Sequence, residues 1–122
     1  MPKRRILVVE DEEKIRRLFK TALEPSYSVV AARDGKEGLA LAQLTQPDMI
    51  LLDLRLPKLD GYMVLRALKM SAKTANIPVV IISAVSASGS LLDASSLGAS
   101  DYLIKPIELS EVRDVVRRYV VS

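Results

Sequence analysis

Three runs of the sequence are continuously apolar: ILVV at residues 6–9, MILL at 49–52 and VVII at 79–82. A strand with one wet face alternates apolar and polar residues, so an unbroken β-rich run reads as a strand covered on both faces. That is the situation of a parallel sheet lying between two layers of helices. Within the wider spans Arg5 to Val9, Met49 to Leu52 and Pro78 to Ser83 these runs give three strands, and Tyr27 to Ala31 and Tyr102 to Ile104 supply two more. Helical patterns separate them. Ile15, Leu18, Phe19, Ala22 and Leu23, and again Val112, Val115, Val116, Tyr119 and Val120, recur at the three- and four-residue intervals of an amphipathic helix. Gly35 to Leu44 and Gly61 to Met70 are shorter versions, with Asp34 and Ser110 placed to cap helix N-termini. Strand followed by helix, five times over, predicts a three-layer doubly wound α/β domain with five parallel strands and five helices joined by right-handed crossovers. The fourth helix is the weak one. Between Ser86 and Ser100 lie six serines and Gly89, poor helix formers all, so that Leu91, Leu92 and Leu97 must hold it by packing.

The chain has 122 residues, 49% of them apolar, which suits a single domain over 1–122 able to bury roughly two thirds of its unfolded surface. Cysteine and histidine are both absent. Disulfides, thiolate and imidazole metal sites and histidine-dependent hydrolysis are thereby excluded, and carboxylates, hydroxyls and lysines must carry any chemistry. The charge is +3, with the excess at Lys3, Arg4, Arg5, at Lys14, Arg16, Arg17, Lys20, and at Arg113, Arg117, Arg118. No groove-reading motif or interleaved aromatics accompany it, so these read as solvated helix faces and the domain is expected not to bind nucleic acid directly. Ile77 to Ala87, the longest nearly apolar stretch, is too short for a membrane span, and the start of the chain lacks a signal-peptide core, which points to the cytoplasm.

In open parallel α/β sheets ligands bind beyond the carboxyl ends of the strands, where the connecting loops diverge. The first strand ends in Glu10, Asp11 and Glu12, the third in Asp53, the fourth in Ser83 and the fifth in Lys105. Crowded carboxylates either raise a pKa or recruit a cation, and oxygen donors alone select a hard ion, Mg²⁺ or Mn²⁺. Lys105 and the Ser83 hydroxyl at the same crevice suit the oxygens of a phosphoryl group, whose transfer is mostly positioning and charge neutralisation. Taken singly, Glu10, Asp11 and Glu12 are equally good as caps of the first helix. A hydroxyl, a lysine and carboxylates at four strand ends make a joint chemical role the better reading.

ILVVEDE, LLDLRLPKLDG, IISA and LGASDYLIKPI, in that order and across the whole chain, resemble the receiver domain of two-component response regulators. The resemblance implies a flavodoxin-like sheet of strand order 2-1-3-4-5. It implies that Asp53 is the phosphoacceptor, Asp11 a direct ligand of the metal, Glu10 a metal-site acid acting largely through water, and the Arg55 backbone carbonyl a further ligand. Ser83 and Lys105 would contact the phosphoryl oxygens, and Ser83 and Tyr102 would move in the switch. Pro106 is expected after a cis peptide bond, and Pro57, Asp60 and Gly61 form the turn leading into the third helix. A sensor histidine kinase or a histidine phosphotransfer protein would supply the phosphoryl group, with Lys14 and Arg17 placed to steer an acidic partner. The output partner or domain stays open, and the face of fourth helix, fifth strand and fifth helix would carry the signal, including a phosphorylation-dependent dimer.

The chain departs from common family usage at Glu10, where aspartate is frequent, and at Ser83, where threonine is frequent. Arg55, two residues past the acceptor, and Val85, two past Ser83, together predict a long-lived phosphoaspartate, since Val85 has no polar group to orient water. The domain is expected to act only on its own phosphoryl group rather than as an enzyme on other substrates. A phosphatase of the haloacid dehalogenase type would need an aspartate where Arg55 stands, and an electron carrier of flavodoxin type lacks its phosphate loop and flavin-stacking tryptophan. A pure docking module is disfavoured by the intact acidic set. The finish at Val120, Val121 and Ser122 suggests a domain excised from a longer chain.

Overall fold

The computed structural model describes residues 3–56, 60–84 and 95–120. Its elements are β1 (Arg5–Val9), α1 (Glu13–Leu23), β2 (Ser28–Ala32), α2 (Gly35–Thr45), β3 (Met49–Asp53), α3 (Gly61–Met70), β4 (Val79–Ala84), β5 (Asp101–Lys105) and α4 (Leu109–Tyr119). The five strands form one parallel sheet in the order β2-β1-β3-β4-β5. β1, β3 and β4 occupy its middle, as their unbroken apolar runs require.

Successive residues of each run serve opposite faces. Ile6, Val8, Met49, Leu51, Val80 and Ile82 pack with Phe19, Ala22 and Leu23 of α1 and Val112, Val115 and Val116 of α4. Leu7, Val9, Ile50, Leu52, Val79 and Ile81 pack with Ala42 of α2 and Val64, Leu65 and Leu68 of α3. Two cores thus share one sheet, each fully buried aliphatic side chain contributing about 1.5 to 3 kcal/mol of transfer free energy. Among the described residues no helix is long and apolar enough to cross a membrane.

Local chemistry explains the element ends. Asp34 caps α2 by accepting from the Glu37 N–H at 2.8 Å, and Asp60 caps α3 by accepting from Met63 N–H at 3.1 Å. Ser110 lies inside α4 rather than at its cap; the chain enters that helix two residues earlier, at Glu108, whose N–H donates to Glu111 at 3.1 Å. Tyr27 belongs to the turn before β2, because its N–H donates back to the Leu23 carbonyl while its ring is buried in the α1 core. Four helices stand among the described residues where the sequence predicts five. Most of the expected fourth one, residues 85–94, lies outside the described residues, and Ser95 and Ser96 form a helical step before the turn at Leu97 and Gly98.

Candidate functional site: a carboxylate cluster around Lys105

The sheet register gathers the strand ends into one crevice. Val9 pairs with Leu52, Asp53 with Ile82, Ser83 with Ile104 and Ala84 with Lys105. Glu10 follows β1 directly and is held in line by its N–H bond to the Ala32 carbonyl at 3.0 Å. Asp53 is only 2% exposed and Ser83 3%, while Glu10 is fully buried. Carboxylate oxygens of Glu10, Asp11 and Asp53 all lie within 4.8 Å of one another, and Asp11 is the exposed member.

Lys105 is the cation among them. Its Nζ donates to Asp53 Oδ2 at 3.0 Å and lies 3.5 Å from Glu10 Oε1 and 3.7 Å from Glu12 Oε1. Burial alone would lower its pKa, but the hydrogen bond and charge of Asp53, with Glu10 and Glu12, outweigh that and raise it. The second Asp53 oxygen, Oδ1, accepts from the Arg55 backbone N–H at 2.9 Å. Glu10 is pushed up from its ordinary 4.5 to about 8, first by burial and then by Asp53 and Asp11, against a lowering by the Glu12 N–H that bonds its Oε2 at 3.1 Å. Its other oxygen, Oε1, is buried without a hydrogen-bond donor. An orphaned buried oxygen beside two further carboxylates, in a chain without histidine or cysteine, fits a hard divalent cation with oxygen ligands.

Asp53, Leu54, Arg55, Tyr62, Ser83, Ala84 and Lys105 line a cavity of about 160 Å³ above this cluster. Its floor depends on Gly61, whose N–H donates to the Leu54 carbonyl at 3.0 Å. A Cβ there would stand 2.5 Å from the Asp53 carbonyl oxygen and from Leu54 Cα, so only glycine lets α3 begin this close to the end of β3. The Ser83 hydroxyl makes a single long bond, 3.4 Å to the Ala84 carbonyl. Tyr102 does not join the cavity; it points outward from β5, 52% exposed. The Lys105–Pro106 peptide bond is cis. Pro57 and Val85 lie outside the described residues.

The sequence does not single out Tyr62 or Arg16 as site residues, and it offers Glu12 at the end of the first strand equally as a helix cap. Tyr62 enters the cavity wall from the first turn of α3. Arg16 reaches from α1 to donate to the Glu10 carbonyl at 2.7 Å. Glu12 sits at the N-cap position of α1 but its side chain makes no cap bond, facing Lys105 instead. Its place in the run EDE is the one signal that singles it out, and that run reads equally well as a cap.

Residues 6–117 match the family described as the response regulator receiver domain. The chain is 38% identical to the probable transcriptional regulator ycf27 of Porphyridium aerugineum, over 97% of this chain and 50% of that protein. It is 41% identical to the DNA-binding dual master transcriptional regulator RpaA of Synechocystis sp., over 93% of this chain and 49% of that one. It therefore spans about half the length of these curated relatives. Among solved structures, the Vibrio cholerae chemotaxis protein CheY4 superimposes with a TM-score of 0.90 at 25% identity, covering 97% of this chain and 99% of that one. With a sheet of order β2-β1-β3-β4-β5 and an acidic cluster able to hold a metal at its carboxyl edge, the chain belongs to the response regulator receiver domain family, a signalling domain rather than a metabolic enzyme.

Proposed function

We propose that Asp53 is the phosphoacceptor of this domain, taking its phosphoryl group from a phosphohistidine of a sensor histidine kinase or histidine phosphotransfer protein. The observation that carries this reading is the Asp53 carboxylate at the floor of the cavity, with Lys105 Nζ 3.0 Å from Oδ2 and the Arg55 N–H 2.9 Å from Oδ1. A carboxylate oxygen attacks phosphorus directly and needs no general base, and the Lys105 ammonium and the Arg55 amide orient the two oxygens. Oδ2 faces Lys105, so the oxygens of an incoming phosphoryl group meet the ammonium that the carboxylate charge shares with it. The O–P bond forms as the donor P–N bond breaks, and the imidazole departs with the electron pair.

Glu10, Asp11, Asp53 and the Arg55 carbonyl are the residues that would hold Mg²⁺ or Mn²⁺, which supplies neutralisation of the phosphoryl charge in such transfers. Ser83 is free to turn its hydroxyl from the long Ala84 contact towards a phosphoryl oxygen. On this reading the turn opens space behind β4, and Tyr102, exposed on β5, swings inward to fill it. The face of β5 and α4, which the expected fourth helix would share, then carries the signal to an output partner or to a phosphorylation-dependent dimer. DNA binding belongs by name to RpaA, of which this chain matches half, and the domain itself works by protein contact.

Intact mass after incubation with acetyl phosphate, with and without Mg²⁺, tests the acceptor on the wild type and on Asp53→Asn. A Mg²⁺-dependent gain of one phosphoryl group, lost in the variant, is expected. A wild type that gains nothing and also forms no beryllofluoride complex overturns the proposal.

A further inference from the structure

Glu12 has a position that the acceptor chemistry leaves unexplained. It stands at the N-cap of α1 in extended conformation, yet makes no capping bond with its side chain. It lies outside the group of carboxylates close enough together to share a cation, which comprises Glu10, Asp11 and Asp53. Its carboxylate approaches Lys105 Nζ to 3.7 Å from the solvent side, with 59% of the side chain exposed. Lys105 thus has a buried pair of carboxylates on one side and a wet one on the other.

We infer that Glu12 is a donor-selecting residue: an exposed negative charge at the rim of the crevice that disfavours free, doubly negative phosphoryl donors. This rests on Asp53 being the acceptor. Glu12 acts on such donors in two ways of the same sign. It repels the dianion as it approaches, and it competes with the phosphoryl oxygens for the Lys105 ammonium. A phosphohistidine delivered on a protein surface is brought in by that surface's own contacts, so the rim charge is a small part of its binding. The effect on free donors is long-range and solvent-screened, which separates it from the short-range bonds of the acceptor itself.

Two small donors of different charge expose the effect. Acetyl phosphate is largely a dianion at neutral pH; Asp53 Oδ2 forms the bond to phosphorus as the P–O bond breaks and acetate leaves with the electron pair. Phosphoramidate carries a net single negative charge; its P–N bond breaks and ammonia leaves, the nitrogen being already protonated. Rates of mass gain are measured for wild type, Glu12→Gln and Glu12→Asp, with Mg²⁺ held at saturation for each protein.

At an ionic strength of ~0.1 M, Glu12→Gln is expected to react about twofold faster with acetyl phosphate and about 1.5-fold faster with phosphoramidate, from a unit charge roughly 8 Å away in water. Glu12→Asp, which keeps the charge, stays near wild type, and in ~1 M salt the gain disappears. The inference is overturned if Glu12→Gln leaves the acetyl phosphate rate unchanged, if both donors gain equally, or if the gain survives high salt. A wild type that takes phosphate from neither donor overturns the acceptor assignment itself, and the Glu12 role with it.

Discussion

Replacing Gly61 by alanine tests how the acceptor strand is seated. The new Cβ would stand 2.5 Å from the Asp53 carbonyl oxygen and from Leu54 Cα, where ordinary contact begins at 3.4 Å, so about 0.9 Å must be found. Both obstructing atoms are backbone, and neither can swing aside as a side-chain tip would. Overpacking of this kind costs about 1 to 3 kcal/mol, and at the first residue of α3 the interior helix propensity of alanine returns little of it, leaving a net loss of about 1 to 3 kcal/mol. The displacement falls on Asp53, the proposed phosphoacceptor. A shift approaching 1 Å in a reacting group lowers rates by as much as ~10²-fold, so phosphorylation by acetyl phosphate should slow by between ten- and a hundredfold. Urea denaturation gives the first quantity and the time course of intact mass the second. A Gly61→Ala protein within about 0.5 kcal/mol of wild type and phosphorylated at an unchanged rate would show that the α3 start is not held against Asp53.

Three further outcomes follow from the same geometry. The raised pKa of Glu10, about 8 in the folded chain against an ordinary 4.5, means that its neutral form favours folding fully below the lower value and that this contribution is lost as pH rises towards the higher one. In the absence of metal, stability should fall between pH 6 and 8. Binding of Mg²⁺ in that window should release close to one proton, seen by calorimetry in buffers of different ionisation enthalpy, and Glu10→Gln should abolish both the pH trend and the release. Leu51→Ala, in the middle of β3 and fully buried, should cost about 2 to 5 kcal/mol in urea denaturation, and a loss under 1 kcal/mol would contradict the packing of the α1 core. Tyr102→Ala should accept phosphate at the wild-type rate while losing phosphorylation-dependent dimerisation or partner binding, measured by light scattering or pull-down; retention of the response would break the proposed link through β5.

The architecture was legible because both faces of the sheet had to be covered: ILVV, MILL and VVII leave no wet side for β1, β3 and β4. The crevice was legible because a parallel sheet brings its strand ends together, so Glu10, Asp53, Ser83 and Lys105 could be placed side by side from chain order alone. What escaped depends on the reach of individual side chains. That Glu12 turns to Lys105 instead of capping α1, that Arg16 folds back onto the Glu10 carbonyl, and that Tyr62 enters the cavity wall are choices between conformers of similar local merit. Only tertiary neighbours decide them. The same holds at α4, where Ser110 is as good a cap by type as any residue nearby, yet Glu108 and Glu111 form the entrance with Glu108 as cap, two residues earlier.

The orphaned oxygen of Glu10 sets usefulness against durability. The buried Oε1 has no hydrogen-bond donor, a liability to the fold when no cation is bound, and a glutamine of the same shape would remove the group whose ionisation that burial opposes. Pools of variants chosen only for survival at high temperature should therefore drift away from an acid at this position, becoming hardier and unable to respond. On the proposed reading of the site, the protein keeps a blemish in its interior because that blemish helps hold the cation through which it listens.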